Sequence, residues 1–506
     1  KFWSNILSKA NIYQTAVYVT VFSVVEKFLG FLYRIILSRT LGSEGMGLYQ
    51  LALSIFAVLI TAASSGIPIT VSRLITKHRA EKNKNAEQST ITAAIVSTLV
   101  FSVPVFIILF FGHKWFDFLF SDARCMSIFL ILLPSLTFNS IYSVIRGVFW
   151  GNKQFMPYCV IDLIEEIVMI VAGVLLVTNM TSVLDGAQRA AFAIIISYLF
   201  SFSISFVYFF VKGGRLKNPR SQFRPLLHSA LPITGMRTSN SLINSVISLL
   251  LPARLIAAGF TSQQAMSELG VAMGMSMPIL SIPATLIGSL SLVIVPELAE
   301  NFYNSRHAKL RDNIEKALKV TVLIAAILIP FLFVTGEDMG IFLFSDAKSG
   351  EIIRNASFVL LPMSFTMITT SILNSLGYEK YTCIYFFVSA AASLLCTYFL
   401  PSVIGVYALF VGMAASGIIS SALNLILIIK KCKEKVRFLK HTLLTLAGIL
   451  PIILLGVLLR NLLVNYLPLY LLIGVCAAVT VGASILFYFA IGTLDPKWLK
   501  TIFKKS

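Results

Sequence analysis

The sequence predicts an all-α polytopic membrane protein of fourteen transmembrane helices. They form two six-helix lobes related by a parallel pseudo-twofold repeat, plus two C-terminal helices. Three observations carry this. The first is composition: of 506 residues, 57% are hydrophobic and only 12% charged, with a mean hydropathy of +0.87. A soluble domain of this size needs far more polar surface. The second is an alternation of long apolar segments with basic loops. The third is an internal repeat: Phe118-Leu-Phe-Ser-Asp-Ala123 recurs as Phe342-Leu-Phe-Ser-Asp-Ala347, 224 residues later.

A bilayer core of ~30 Å needs about 20 helical residues to cross it. Segments of that length lie at roughly 12–37, 46–72, 89–111, 126–148, 156–178, 190–211, 227–251, 269–296, 314–334, 353–376, 381–400, 404–429, 441–460 and 467–491. The loops test the count. Alternate loops, from Arg73–Lys84 to Lys430–Lys440, together with Arg146 at the end of span four, hold twenty-two Lys and Arg; the intervening ones hold seven. A missed span would scramble that alternation, and the positive-inside rule places the basic set and both termini in the cytoplasm. The net charge of +19 therefore marks cytoplasmic loops and membrane lipid contact rather than nucleic acid. The opening KFWSNILSKAN reads as a basic lead-in to the first span, not a cleaved signal. Six scattered cysteines without a Cys-x-x-Cys pair read as small core residues.

The repeat fixes the organisation. Each copy of the six-residue segment follows one span and precedes another, and Leu-Leu-Pro follows both, at Leu132–Pro134 and Leu360–Pro362. Shifting spans one to six by 224 residues lands them on spans seven to twelve. An even number of spans separates the copies, so the halves point the same way. The expected divisions are a lobe over 1–211, a cytoplasmic linker over 212–225, a second lobe over 226–435, and spans thirteen and fourteen with the tail over 436–506.

Charge inside spans marks where the chemistry lies, because it is costly there. In span one, Glu26 and Lys27 sit near the middle, and Arg34 shares a face with Lys27 two turns on. Glu26 lies about 80° round from Arg34, close enough to balance it. Span two ends Ser65-Gly66-Ile67-Pro68, where Pro68 is expected to kink the helix. Pro278, Pro283 and Pro296 do likewise in span eight. Arg73 and Glu297 are repeat mates near the cytoplasmic mouth, read either as an inner gate or as two interfacial charges. Span four carries Ser135, Asn139, Ser143 and Arg146 on one face; Arg146 either joins the site or snorkels to the interface. Span five opens with Asp162, Glu165 and Glu166, either a cation or proton site or a cluster answering nearby Arg and Lys. Span seven bears Thr234, Arg237, Ser241, Asn244 and Ser248 on one polar face. Its Ser and Thr also suit helix–helix contact, whereas a guanidinium at that depth points to function.

Lys27, Arg34 and Arg237, with Ser241, Asn244 and Arg73, thus offer positive and polar groups to an anionic ligand. Arg matches phosphate geometry and Lys supplies a point charge; Arg254 is a further cation near the outer face. Glu26, Pro68, Glu297, Asp162, Glu165 and Glu166 are the gate or coupling residues. The two unpaired C-terminal spans suit a groove for a lipid tail. No catalytic residue or metal site is expected. There is no Gly-x-x-x-x-Gly-Lys-[Ser/Thr] phosphate loop and no His-Glu-x-x-His, and all five histidines fall at span ends or in loops.

Two segments resemble those of a known family. Leu41-Gly-Ser-Glu-Gly-Met-Gly-Leu-Tyr49 is similar to the LG-x-x-G-x-G-x-Y segment of polysaccharide-type flippases. Ser65-Gly-Ile-Pro-Ile-Thr-Val-Ser-Arg73 is similar to their SGIP-x-x-(I/V)-S-(K/R). Over its full length the chain resembles the stage V sporulation protein B group of the multidrug/oligosaccharidyl-lipid/polysaccharide exporter superfamily. The resemblance implies two lobes rocking around a central cationic cavity in the bacterial cell membrane. It implies a substrate of the undecaprenyl-pyrophosphate-sugar type, lipid II for spore cortex peptidoglycan, peptidoglycan synthases as partners, and no cofactor beyond Na⁺ or H⁺ coupling or the membrane potential. Two other classes stay open. A cation-coupled drug exporter is supported by Asp162, Glu165 and Glu166. A membrane glycosyltransferase would have to draw on Asp117, Asp122, Asp185, Glu337, Asp338 or Asp346.

Overall fold

A computed structural model describes residues 12–431 and 438–494. The N-terminal lead-in, Lys433, Lys435, Arg437 and the C-terminal lysines lie outside the described residues, which contain helices and turns but no strand. In chain order the helices are α1 (Ile12–Ser64), α2 (Ile67–Ala80), α3 (Lys84–Phe111), α4 (Arg124–Gly151), α5 (Phe155–Val177), α6 (Val183–Val211), α7 (Phe223–Ala257), α8 (Ser262–Leu269) and α9 (Met277–Tyr303). There follow α10 (His307–Phe344), α11 (Ala347–Ala356), α12 (Leu360–Ser375), α13 (Glu379–Phe399), α14 (Pro401–Ile404), α15 (Tyr407–Lys431), α16 (Leu439–Ala447), α17 (Ile449–Leu463) and α18 (Leu469–Ala490).

Twelve helical stretches among the described residues are long and apolar enough to cross a membrane with at most two charges in the spanning window. One of them, Tyr18–Ala80, is 63 residues long, about twice what one crossing needs. It divides at Gly42, whose φ of 68° and ψ of −177° are open essentially to glycine alone. The 23 residues of α5 are also long enough, and its Asp162, Glu165 and Glu166 are what remove it from the count. Counting both, the helices fit the fourteen expected spans.

The bend expected at Pro68 lies slightly earlier. Helix α1 ends at Ser64, Ser65 and Gly66 form the break, and Pro68 is buried in the first turn of α2. A proline lacks the N–H that the first turn leaves unbonded anyway, so it starts α2 rather than straining it. In the second half, a π-helical turn over Gly270–Ser276 leads into α9, and Pro278 again occupies the first turn.

The chain forms two compact units. The first comprises residues up to Ala253 together with Thr261–Gly270; the second comprises Arg254–Phe260 and the residues from Val271 on. In the first, α4 packs against α1, α2, α3 and α6, and α5 packs against α1 and α6. Val71, Ile75, Ala93, Ala94, Val144 and Ile145 make its core between α2, α3 and α4. In the second, α10 is central and contacts α9, α11, α12, α17 and α18. The C-terminal pair is fastened to α10 by apolar contact around Val334, Leu472 and Cys476 and by ion pairs. Arg460 on α17 donates to both Asp338 carboxylate oxygens (2.6 and 2.9 Å) and pairs with Glu337 at 3.0 Å. Arg354 also pairs with Glu337 and stacks on Phe333.

Candidate functional site

The charged residues of spans one, four and five meet inside the first unit. Helices α1 and α5 approach closely because glycines face larger side chains. A Cβ on Gly30 would stand 2.8 Å from a Glu166 carboxylate oxygen, and one on Gly173 would stand 2.1 Å from the Tyr33 hydroxyl. Two groupings result. Arg34 lies within electrostatic reach of Glu166 and Tyr49, with the buried Tyr33 alongside. One turn earlier in α5, Asp162 accepts a hydrogen bond from the Tyr142 hydroxyl of α4. Arg146 stands near Asp162 and Glu165 and lies 5.6 Å from the centroid of the Tyr142 ring. Glu26 of α1 completes this second grouping, close to Asp162, Arg146 and Lys27.

The arrangement corrects part of the sequence reading. Arg34 shares a face with Lys27, and the carboxylate beside it is Glu166 of α5 rather than Glu26. Arg146 does not snorkel: it is only partly exposed, and its Nε is buried without a hydrogen-bond partner. The cluster has four carboxylates, Glu26, Asp162, Glu165 and Glu166, against two guanidiniums, with Lys27 at its edge. Within this unit the buried centre is therefore acid-rich. One Glu165 carboxylate oxygen and the Tyr33 hydroxyl are buried without partners, so the cluster has unused polar capacity. A tyrosine shell of Tyr33, Tyr49, Tyr142, Tyr158 and Tyr198 surrounds the charges. Sequence reasoning missed these tyrosines; the available signal was Tyr142, one turn before Arg146 on the same face of α4.

The remaining cations are exposed. Lys27, Arg73 and Arg237 are all exposed. Arg237 donates to the Ser65 carbonyl oxygen at 3.2 Å, in the break between α1 and α2. Arg73 donates to the Ser229 hydroxyl at 2.5 Å. The first contact joins α7 to the α1–α2 break, and the second joins it to α2. On α7, Ser241 is half-buried, and exposed Asn244 donates to Asn240 at 3.3 Å. Glu297 is exposed on α9, in the second unit. Arg254 is engaged: it stacks 4.2 Å from the Tyr398 ring centroid and donates to the Tyr398 carbonyl.

At the end of this unit carrying the first copy of the repeat, a polar basin of about 760 Å³ is lined by Glu44, Asp122, Arg124, Ser182, Thr261, Ser262 and Gln263, with Val183 and Leu184. Burial opposes the charge on Asp122. Hydrogen bonds from Arg124 and Ser262 outweigh it and hold the carboxyl below the usual carboxylate range.

Long apolar helices carrying an internal charged cluster make a multi-pass membrane protein. Solved transporters share the fold. A lipid II flippase, MurJ, in an inward closed conformation superposes with a TM-score of 0.72 at 15% identity, covering 94% of this chain and 99% of that one. An inward-facing multidrug resistance MATE transporter of the MOP superfamily gives 0.65 at 14% identity, covering 84% and 95%. The chain belongs to the polysaccharide biosynthesis protein family, whose pattern matches residues 12–302. Among curated proteins, it is 26% identical over 356 residues to stage V sporulation protein B of Bacillus subtilis, covering 67% of this chain and 68% of that protein. It is 21% identical to the lipid II flippase MurJ of the same organism, covering 72% of each.

Proposed function

We propose that the protein is a flippase that carries an undecaprenyl-pyrophosphate-linked glycolipid from the inner to the outer leaflet by alternating access. Lipid II for spore cortex peptidoglycan is the substrate this reading names. The observation that carries it is the set of exposed cations Lys27, Arg73 and Arg237 on helices α1, α2 and α7 of a polysaccharide-family chain. A pyrophosphate needs such groups, and guanidiniums suit it best. Names of two relatives, a sporulation protein and a lipid II flippase, support the same class. The inside-negative potential drives an anion outward with ~2.3 kcal/mol per charge per 100 mV. The α16–α18 region, fastened to α10, extends the surface along which the polyprenyl chain stays in lipid. Both termini lie in the cytoplasm, and peptidoglycan synthases that consume the exported lipid are the natural partners.

The acid-rich cluster of Glu26, Asp162, Glu165 and Glu166 favours a second reading, coupling to H⁺ or Na⁺, as in a cation-coupled multidrug exporter. The enzyme reading is the weakest. Asp122 is tied to Arg124 and Ser262, Asp338 to Arg460, and Asp346 caps α11 by accepting from the Ser349 N–H. The test is lipid II exposure on the outer leaflet of cells depleted of their resident lipid II flippase, with and without this protein. Restored exposure, lost again with Lys27→Ala and Arg237→Ala, supports the flippase. Folded protein that restores nothing overturns it, and cationic dye efflux then tests the exporter.

A further inference from the structure

Two basic segments at one end of the first unit are held side by side. One is the last turn of α2 with the turn into α3, carrying Lys77, Arg79, Lys82 and Lys84. The other is the stretch between α6 and α7, carrying Lys212, Arg215, Lys217, Arg220 and Arg224. All nine residues are exposed, and all belong to the same compact unit. The segments are remote in sequence and of like charge, so repulsion opposes their meeting.

The fastening that overcomes it is neutral on the α2 and α3 side. The Lys217 backbone N–H donates to the Thr92 hydroxyl at 2.9 Å, and the Lys217 ammonium donates to the side-chain oxygen of Asn85. Gln222 is buried; its side-chain oxygen accepts from the Thr90 hydroxyl at 3.3 Å and meets His78 Nε2 at 3.1 Å. Two local turns hold the stretch in shape. The Asn218 side chain accepts from the Arg220 N–H at 3.1 Å, and the Gln222 N–H donates to the Pro219 carbonyl at 2.9 Å. Lys77 lies 3.9 Å from Glu81; among the described residues none of the other eight cations pairs with a carboxylate. An acidic side chain at position 85 or 92 would close the stretch and cancel charge at once. Asn and Thr close it and leave the positive field whole.

Apolar side chains at the same end say what meets that field. Val207 and Val211, in the last two turns of α6, are 61% and 78% exposed, and Leu216 stands exposed between Arg215 and Lys217. The Lys212 ammonium lies 5.6 Å from the centroid of the Tyr208 ring, its stem laid along apolar surface as at a bilayer edge. Cations flanking an apolar residue suit the headgroup layer, with the apolar group turned toward the acyl chains. A basic cluster beside a membrane-crossing helix attracts anionic lipids. A soluble acidic protein would leave Val207 and Val211 uncovered, whereas a bilayer covers them.

We propose that the α2–α3 turn and the stretch over 212–224 form one binding surface for the headgroups of anionic phospholipids in the adjoining leaflet, the inner one in the orientation given above. The proposal goes beyond the flippase reading and rests only on the helices spanning a membrane. It is tested with the full chain in phosphatidylcholine nanodiscs doped with a photoactivatable phosphatidylglycerol, against the same probe on phosphatidylcholine, with peptide mass spectrometry. The anionic probe is expected to label the peptides over 77–84 and 212–224 about fivefold more than the zwitterionic one. That preference should fall away in about 1 M salt, where charges are screened within a few ångströms. The combined variant Lys82→Gln, Lys84→Gln, Arg215→Gln and Arg220→Gln should lose it with an unchanged Tm in detergent, and the matching variant with Lys82→Arg and Lys84→Arg alone should keep it. Equal labelling by the two probes, or a preference that outlasts the four glutamines, overturns the surface. Displacement of the probe by equimolar lipid II also overturns it, making this an entry site for cargo, and displacement by an equimolar polyglutamate peptide makes it a face for an acidic protein instead. A preference retained by a protein that flips no lipid II supports the surface and removes the substrate reading alone.

Discussion

Replacing Arg460 by Met should loosen the C-terminal pair from the rest of the chain, and the structure sets the size of the effect. The Arg460 side chain is 19% exposed and that of Asp338 only 5%. Arg460 makes two hydrogen bonds to Asp338 and a third ionic contact to Glu337. Methionine keeps most of the apolar stem but leaves a nearly buried carboxylate without its counter-charge. Breaking one side of such a pair costs roughly 3–5 kcal/mol. With an unfolding entropy of ~2.1 cal/mol/K per residue, over about 250–500 residues, that lowers Tm by roughly 3–10 °C. The assay is thermal unfolding in detergent, by fluorescence-detected size exclusion, for Arg460→Met, Asp338→Asn and the double variant. The double variant should recover most of the loss, because the stranded charge is gone. A single-variant shift under 1 °C, or strictly additive losses, would refute the reasoning that this pair fastens α17 to α10.

Other consequences can be measured in parallel. Gly173→Ala places a Cβ 2.1 Å from the Tyr33 hydroxyl and should destabilise by about 1–3 kcal/mol, as overpacking does; an unchanged Tm contradicts the α1–α5 packing. Tyr33→Phe removes a buried hydroxyl that lacks a partner, so stability should hold or rise slightly, and a clear fall would reveal a hydrogen bond to water or substrate. Asp122 has a carboxyl held below its ordinary pKa, so its stabilisation is complete above the unfolded value of about 4 and is lost only as pH falls through the lower folded value. The stability difference between the native chain and Asp122→Asn should therefore be flat from pH 5 to 8 and should shrink only in stronger acid. Arg237→Ala should fold normally and bind lipid II more weakly; equal affinity in a direct binding assay removes Arg237 from the site.

The fold was largely legible in the chain because hydropathy and loop charge respond to the membrane itself rather than to tertiary detail. Gly42, inside the Leu-Gly-Ser-Glu-Gly-Met-Gly segment, turned out to mark the break between two spans. The site was less legible. Spacing places Lys27 and Arg34 on one face of α1, but it does not say which neighbour that face meets, and α5 brings Glu166 to Arg34 alone. Arg146 has the position of a snorkelling residue and the surroundings of a buried one, because α5 sets Asp162 against it.

The three carboxylates of α5 also bear on how the protein is made. Each ionised side chain near a helix centre raises the cost of membrane insertion by about 2.5–3.5 kcal/mol, so α5 is a poor substrate for entry by itself. Arg146 and Tyr142 arrive earlier in the chain, on α4, and offer Asp162 its partners before α6 is synthesised. Insertion of α5 then depends on α1 and α4 waiting beside the translocation channel. Substitutions at Arg146 would accordingly be read first as a biogenesis defect, with α5 left at the membrane surface and the topology of every later span put at risk.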